Sequence, residues 1–160
     1  MNDTDDSTKP LDELLKAGST LMVGTSQGVG LEFHPMTVAR VRGSDIEILL
    51  DTNEVWVAAL TDGDPVTVTM SDTRANTWLW FTGSVTLSTD AELIDELWNP
   101  FAEAYFDDGR QSSGIAVMRI DGDGGRYWTS PSGRIGSLVS FVKAKFGDAE
   151  SSGEHGDVAG

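Results

Sequence analysis

Residues 91–106 read AELIDELWNPFAEAYF, and the local rules in that stretch decide the fold. Thr89 and Glu92 stand at capping-box spacing, so a helix is predicted to start there with Leu93, Ile94, Leu97 and Trp98 on one face. Pro100 cannot continue that helix, because it lacks an amide hydrogen and its ring clashes with the preceding turn. Asn99 is a good N-cap and proline suits a first helical position. A sharp joint followed by a second short helix carrying Phe101, Ala104 and Tyr105 is therefore expected.

Outward from this helix pair the chain reads as strands. Upstream, Leu11, Leu14, Leu15 and Gly18 follow the spacing of a short amphipathic helix ended by glycine. Residues 21–25, 31–42 and 45–50 are rich in β-branched and apolar side chains, separated by turns at Ser26-Gln27-Gly28 and Gly43-Ser44. They predict a three-stranded meander. A short helix over residues 53–60, capped by Thr52 or Asn53, and the turn Asp62-Gly63-Asp64-Pro65 lead to strands at 66–70 and 77–87. Downstream of the helix pair, residues 115–120 and 126–128 are expected to close the sheet across a turn at Asp121-Gly122-Asp123-Gly124-Gly125. A last helix is expected from about Ser132, with Ile135, Leu138, Val139, Val142 and Phe146 as an apolar stripe and Gly147 as its stop. Six to seven mostly antiparallel strands with helices inserted between hairpins predict a small α+β barrel.

The chain has 160 residues, enough for one domain with one core. Residues 1–9 and 147–160 are short, polar and aromatic-free, and disorder is expected in both; the folded unit is then 10–146. A net charge of −15 argues against a nucleic-acid or anionic-membrane partner, since both need a positive surface. With no cysteine, disulfides, thiolate metal sites and cysteine nucleophiles are excluded. The acidic N-terminus has neither a basic segment nor an apolar run, so no secretory signal or membrane span is expected and the cytoplasm is the default compartment.

The segment ELWNP at 96–100 with aromatics after it, and YWTSPSGR at 127–134, together resemble the general stress protein 26 family of pyridoxamine-phosphate-oxidase-like flavin proteins. The resemblance implies a split β-barrel of Greek-key type with peripheral helices, a homodimer, and a flavin, FMN, at each subunit interface. It also implies a flavin-dependent oxidoreductase acting in stress protection. By the same resemblance the strand His34-Pro35-Met36-Thr37 passes beside the flavin ring, and its main-chain groups bond the ring's polar edge. Trp128 is expected to reach the flavin from the partner subunit, with Trp78 or Trp80 as further walls.

The phosphate end departs from the family pattern. The family has arginine before Pro-Met and a later turn of the type T-S-x-x-S-x-K; here the arginine position is His34, and the turn from Asp51 through Thr52 to Trp56 places Trp56 where lysine belongs. Asp51 and Glu54 stand at serine positions. Charge-assisted hydrogen bonds contribute about 1.5–3 kcal/mol each, so losing two weakens FMN by about 10²- to 10⁴-fold. Rescue would have to come from amides near Asn53 or from Arg40, Arg42, Arg74 or Arg134. The alternatives are a non-catalytic dimer that has lost the phosphate site, or a site for another aromatic ligand such as FAD or a deazaflavin. Oxidation of pyridoxamine phosphate is disfavoured, because that substrate brings a second phosphate and the acidic chain shows no second basic cradle.

Three other motifs are weaker. Gly24-Thr25-Ser26-Gln27-Gly28 matches the hydrolase nucleophile elbow, but a strand follows it where the elbow needs a helix, and a hairpin turn is the better reading. Asp121-Gly122-Asp123-Gly124 resembles the start of a calcium loop, whose twelfth position should be glutamate and is Ser132. His34 has no neighbouring histidine or cysteine to share a metal with, so no metal is expected.

Overall fold

A computed structural model describes residues 8–26, 30–130 and 154–160. Along the described chain run α1 (Leu11–Leu14), β1 (Thr20–Thr25), β2 (Glu32–Thr37), β3 (Arg40–Arg42), β4 (Asp45–Asp51) and α2 (Val55–Ala58). Then come β5 (Pro65–Asp72), β6 (Thr77–Ser88), α3 (Ala91–Leu97), α4 (Pro100–Tyr105), a 3₁₀ turn at Gly109–Gln111, β7 (Ile115–Thr129) and β8 (Glu154–Val158). The expected final helix lies outside the described residues, as do Gln27 and Gly28 of the first predicted turn.

The strands pair antiparallel in the order β2-β1-β5-β6-β7-β4-β3, with β8 alongside β7. The two ends of this order, β2 and β3, are consecutive in sequence. At Val38 and Ala39 the chain passes from one sheet edge to the other: the Val38 amide donates to Ser19 O at 2.9 Å and the Ala39 amide to Glu47 O at 2.9 Å. The stretch expected as one strand, 31–42, is thus two, and its crossing curls the sheet into a split β-barrel of the α+β class.

Alternation along the strands puts Leu21, Val23, Ile46, Ile48, Val68, Phe81, Met118 and Ile120 inside the barrel, all buried, with Leu11 of α1 in the same core. A second cluster joins Ile94, Leu97, Ala102 and Phe106 of the helix pair to Ile115 and Val117 of β7, with Leu49 and Ala39 at its edge. The helix pair therefore rests on the outer surface of β4 and β7.

Local chemistry corrects several expectations. The N-cap of α3 is Asp90, whose carboxylate accepts from the amides of Glu92 at 2.8 Å and Leu93 at 3.3 Å; Thr89 lies one residue too early. A carboxylate at a helix N-terminus is favoured by the dipole as well as the hydrogen bonds. The joint at Asn99-Pro100 is as expected, with Asn99 Oδ1 accepting from Phe101 N and Ala102 N. Helix α2 is only Val55–Ala58 and begins after Glu54 without a side-chain cap.

The glycine-rich stretch 121–125 is no turn: β7 runs straight through it, and Asp123 is an extra residue between the pairs Gly83–Gly122 and Thr82–Gly124. Glycine is needed there for close approach, since a Cβ on Gly125 would lie 2.0 Å from Trp80 O. The tail expected as disordered also contributes structure. Residues 154–158 form β8, Val158 is buried, and the strand is held on its far side by Lys9, whose amide donates to Asp157 O and whose carbonyl accepts from Ala159 N. Composition missed this because backbone pairing needs few apolar side chains, and one valine reaching the core anchors the strand. Among the described residues no helix is long and apolar enough to cross a membrane.

Candidate functional site

A hollow opens between the β2–β3 crossing and α4. Its near wall is Pro35, Met36 and Thr37 with Ala39; its floor includes Leu49; its far wall is α4. The orientation of α4 follows from its cap and its buried side. Asn99 fixes the first turn, and Ala102 and Phe106 are buried against Ile115 and Val117, which leaves Phe101 and Tyr105 outward at 61% and 57% exposure. Trp98 is held by its indole N–H donating to Glu103 at 2.8 Å, and Arg110 pairs with Asp95.

The hollow measures about 100 Å³. An engineered cavity of about 150 Å³ holds one benzene ring, so a three-ring system cannot be enclosed here by one chain. A planar ligand can rest only one face or edge against this wall. The polar groups available to its edge are main-chain groups of a strand that carries a proline and the side chains of Thr37, Asn99 and Tyr105, and the remaining contacts are apolar.

Tyr105 and Phe106 also line a second hollow next to the first, bounded by Asp51, Asn53, Glu54, Asp107 and Asp108. Burial, then Glu54, then Asp51 push the Tyr105 phenol above its ordinary pKa. At the turn itself the amides are already used. Asp51 Oδ1 accepts from the Asn53 amide at 2.8 Å and from Asn53 Nδ2 at 2.7 Å. The Thr52 amide donates to Gly114 O at 2.8 Å and the Glu54 amide to Asp51 O at 3.2 Å. The Asp51 carboxylate therefore takes the place of the anion that the donors of this turn would otherwise bind.

His34 and Trp56 come together: their rings stack with centroids 4.1 Å apart and planes within 6°. His34 faces the opposite side of β2 from Pro35, and its Nε2 is buried with no hydrogen-bond partner among the described residues. The two positions at which the resemblance expects cations are adjacent in space, and they hold an imidazole and an indole.

Trp80 and Trp128 are not brought to the hollow within the chain. They lie on the outer face of the barrel at 38% and 42% exposure. Trp128 pairs across strands with Trp78, and Trp80 belongs to a row Pro35–Met22–Thr69–Trp80–Arg126. Pro35 at the rim of the hollow is therefore the first member of a row that reaches Trp80 three strands, or about 14 Å, away. The row is continuous with an aromatic outer surface that includes Phe33 at 41% exposure.

Arg40 pairs with Glu47 and Glu96, and Arg42 with Glu96 at 3.6 Å. Arg74 lies after β5, where its amide donates to Asp72, and Arg134 is outside the described residues. Among the described residues no lysine or arginine lines either hollow. The donor chemistry thus fits the ring of FMN and does not fit its phosphate. No group of three or more metal-ligating side chains occurs among the described residues.

Sequence reasoning missed α4 as a site wall. Phe101 and Tyr105 were visible as aromatics after ELWNP, but a helix of this composition has two apolar pairs, 101/105 and 102/106, and nothing local says which turns inward. It also missed Asp107 and Asp108, whose adjacent charges were the only signal.

A curled antiparallel sheet with a small helix pair on its flank and a slot at the crossing of its edge strands defines a split barrel. The chain belongs to the family described as pyridoxamine 5'-phosphate oxidase like, which it matches over residues 6–151. Among solved structures it is similar to a protein assigned as general stress protein 26 from Jannaschia sp. CCS1, with 22% identity, a TM-score of 0.73, and coverage of 93% of this chain and 94% of that one. It is also similar to the general stress FMN/FAD binding protein of Xanthomonas citri, at 26% identity and TM-score 0.64 over 74% of this chain and 84% of that one. A general stress protein 26 relative from Clostridium acetobutylicum matches at 19% identity and TM-score 0.61, over 74% and 83% of the two chains. No curated protein matches the sequence.

Proposed function

We propose that this protein is a homodimeric flavin-binding barrel of the general stress type, in which the slot beside Pro35-Met36-Thr37 takes the edge of an isoalloxazine ring. The observation that carries the reading is the slot itself. It is mostly apolar, with Thr37, Asn99 and Tyr105 as its polar side chains, too small to enclose the ring alone, and continuous at Pro35 with an exposed aromatic face. A second copy packed on that face would supply the missing wall, with Trp128 and Trp80 as its contribution, and large aromatics suit such an interface. The Xanthomonas relative's description as an FMN/FAD binding protein supports the same reading.

A bound ring supplies hydride chemistry, which makes a flavin-dependent oxidoreductase the reaction class; the chain supplies the slot and the orientation. The cytoplasm is the compartment this role implies. A second reading, a dimer that has given up the cofactor, is favoured by Trp56 stacked on His34 where the phosphate's cations would stand. Two measurements on purified protein separate them: quenching of flavin fluorescence on titration, and mass by light scattering. Quenching with a mass twice the chain's 17.2 kDa is expected; a monomer that leaves every flavin's fluorescence unchanged would overturn the proposal.

A further inference from the structure

With the slot taken as a flavin-ring site, on which this step rests, we infer that it selects a flavin without a phosphate: a ring bearing a neutral polyhydroxyl chain, as in riboflavin, in preference to the phosphate ester FMN. Tyr105 and Phe106 line both the slot and the adjacent hollow bounded by Asp51, Glu54, Asp107 and Asp108, so a chain leaving a ring in the slot on that side meets those carboxylates. A phosphate ester is doubly charged near neutral pH and its oxygens chiefly accept hydrogen bonds. Ionised carboxylates accept only, so the two groups repel and have nothing to exchange. A hydroxyl both donates and accepts, and a chain of hydroxyls can donate to those carboxylates and accept from Ser112 and Ser113, which line the same hollow.

Two further observations point the same way. The turn's amides are closed off internally, Asn53's by the Asp51 carboxylate and Thr52's by Gly114 O. The two positions at which the resemblance expects cations hold the stacked rings of His34 and Trp56, and no lysine or arginine among the described residues lines the hollow. The selectivity is electrostatic and the hollow is open to solvent, so it must weaken with salt.

The test is a titration of the full-length protein with riboflavin and, separately, with FMN, followed by flavin fluorescence at low ionic strength. Riboflavin is expected to bind about tenfold or more tightly than FMN, with the ratio shrinking as salt is added. Asp51→Asn combined with Glu54→Gln is expected to narrow the ratio in the same direction, with circular dichroism confirming that the variant folds. FMN binding as tightly as riboflavin, or more tightly, in the unmodified protein overturns this inference and leaves the flavin reading standing. Failure of both to bind overturns the flavin reading, and the inference falls with it.

Discussion

Replacing Asp51 by serine together with Trp56 by lysine should convert the turn after β4 into a phosphate cradle. In the native turn one oxygen of Asp51 takes both the amide and the side-chain NH₂ of Asn53, at 2.8 and 2.7 Å. Serine removes that charge and releases the amide to an incoming anion, and lysine at 56 places a cation beside His34, on which Trp56 now stacks. Two new charge-assisted hydrogen bonds at about 1.5–3 kcal/mol each would raise FMN affinity by about 10²- to 10⁴-fold. Asn53 and Glu54 are exposed and Asp51 half-buried, so solvent screening puts the gain at the lower end, about 10²-fold. Losing the aromatic stack and the packing of the half-buried Trp56 on the barrel core costs about 3 kcal/mol of stability, so circular dichroism must first show that the variant folds. Fluorescence titration with FMN and riboflavin reads the effect, and the ratio of the two affinities separates a gain at the phosphate from a general change in the slot. A folded double variant whose FMN affinity and ratio both stay unchanged would refute the assignment of this turn.

Other substitutions probe the scaffold and the interface. Asp90→Ala should cost about 1 kcal/mol in denaturant unfolding by leaving the Glu92 and Leu93 amides uncapped, whereas Thr89→Ala should fall within about 0.5 kcal/mol of the parent. Gly125→Ala should destabilise by about 3 kcal/mol, because the added methyl would lie 2.0 Å from Trp80 O, and a neutral result would displace the bulge from Asp123. The phenolate absorbance of Tyr105, isolated by difference against Tyr105→Phe, should appear at higher pH than that of free tyrosine. Burial and the Glu54 and Asp51 charges disfavour the anion, so Glu54→Gln should bring the transition down. Trp80→Glu with Trp128→Glu should halve the mass seen by light scattering if the outer face joins two copies; an unchanged dimer would move the interface elsewhere.

What the sequence disclosed depended on whether the deciding interaction was local. Asn99 and Pro100 declare the joint between α3 and α4 within two residues, and the structure has it there. The alternation of apolar residues located β1, β4, β5 and β6 to within a residue or two. Asp90 was passed over for Thr89 because both suit a cap and only the chain's path chooses between them. The bulge at Asp123 read as a turn because glycines serve both purposes, and the close approach of Gly125 to Trp80 joins residues far apart in sequence. Strand β8 was hidden for a related reason: its pairing with β7 and Lys9 is a main-chain matter, to which side-chain composition is nearly blind.

The candidate site was legible in halves. Pro35-Met36-Thr37 and the acidic turn could each be singled out, and their departure from a phosphate-binding pattern was plain in Asp51 and Trp56. That α4 stands between them, with Tyr105 touching both hollows, required the fold. The stacking of His34 on Trp56 was likewise invisible, although it joins two positions that the resemblance had already paired.

The central claim is that the slot between β2 and α4 holds the bare ring of a flavin, independent of any phosphate. Lumiflavin, which carries the ring and no chain, isolates that claim in an NMR titration of the methyl and aromatic resonances. The account predicts saturable shifts centred on Met36, Thr37, Ala102 and Tyr105; their absence, with shifts elsewhere or none at all, would contradict it.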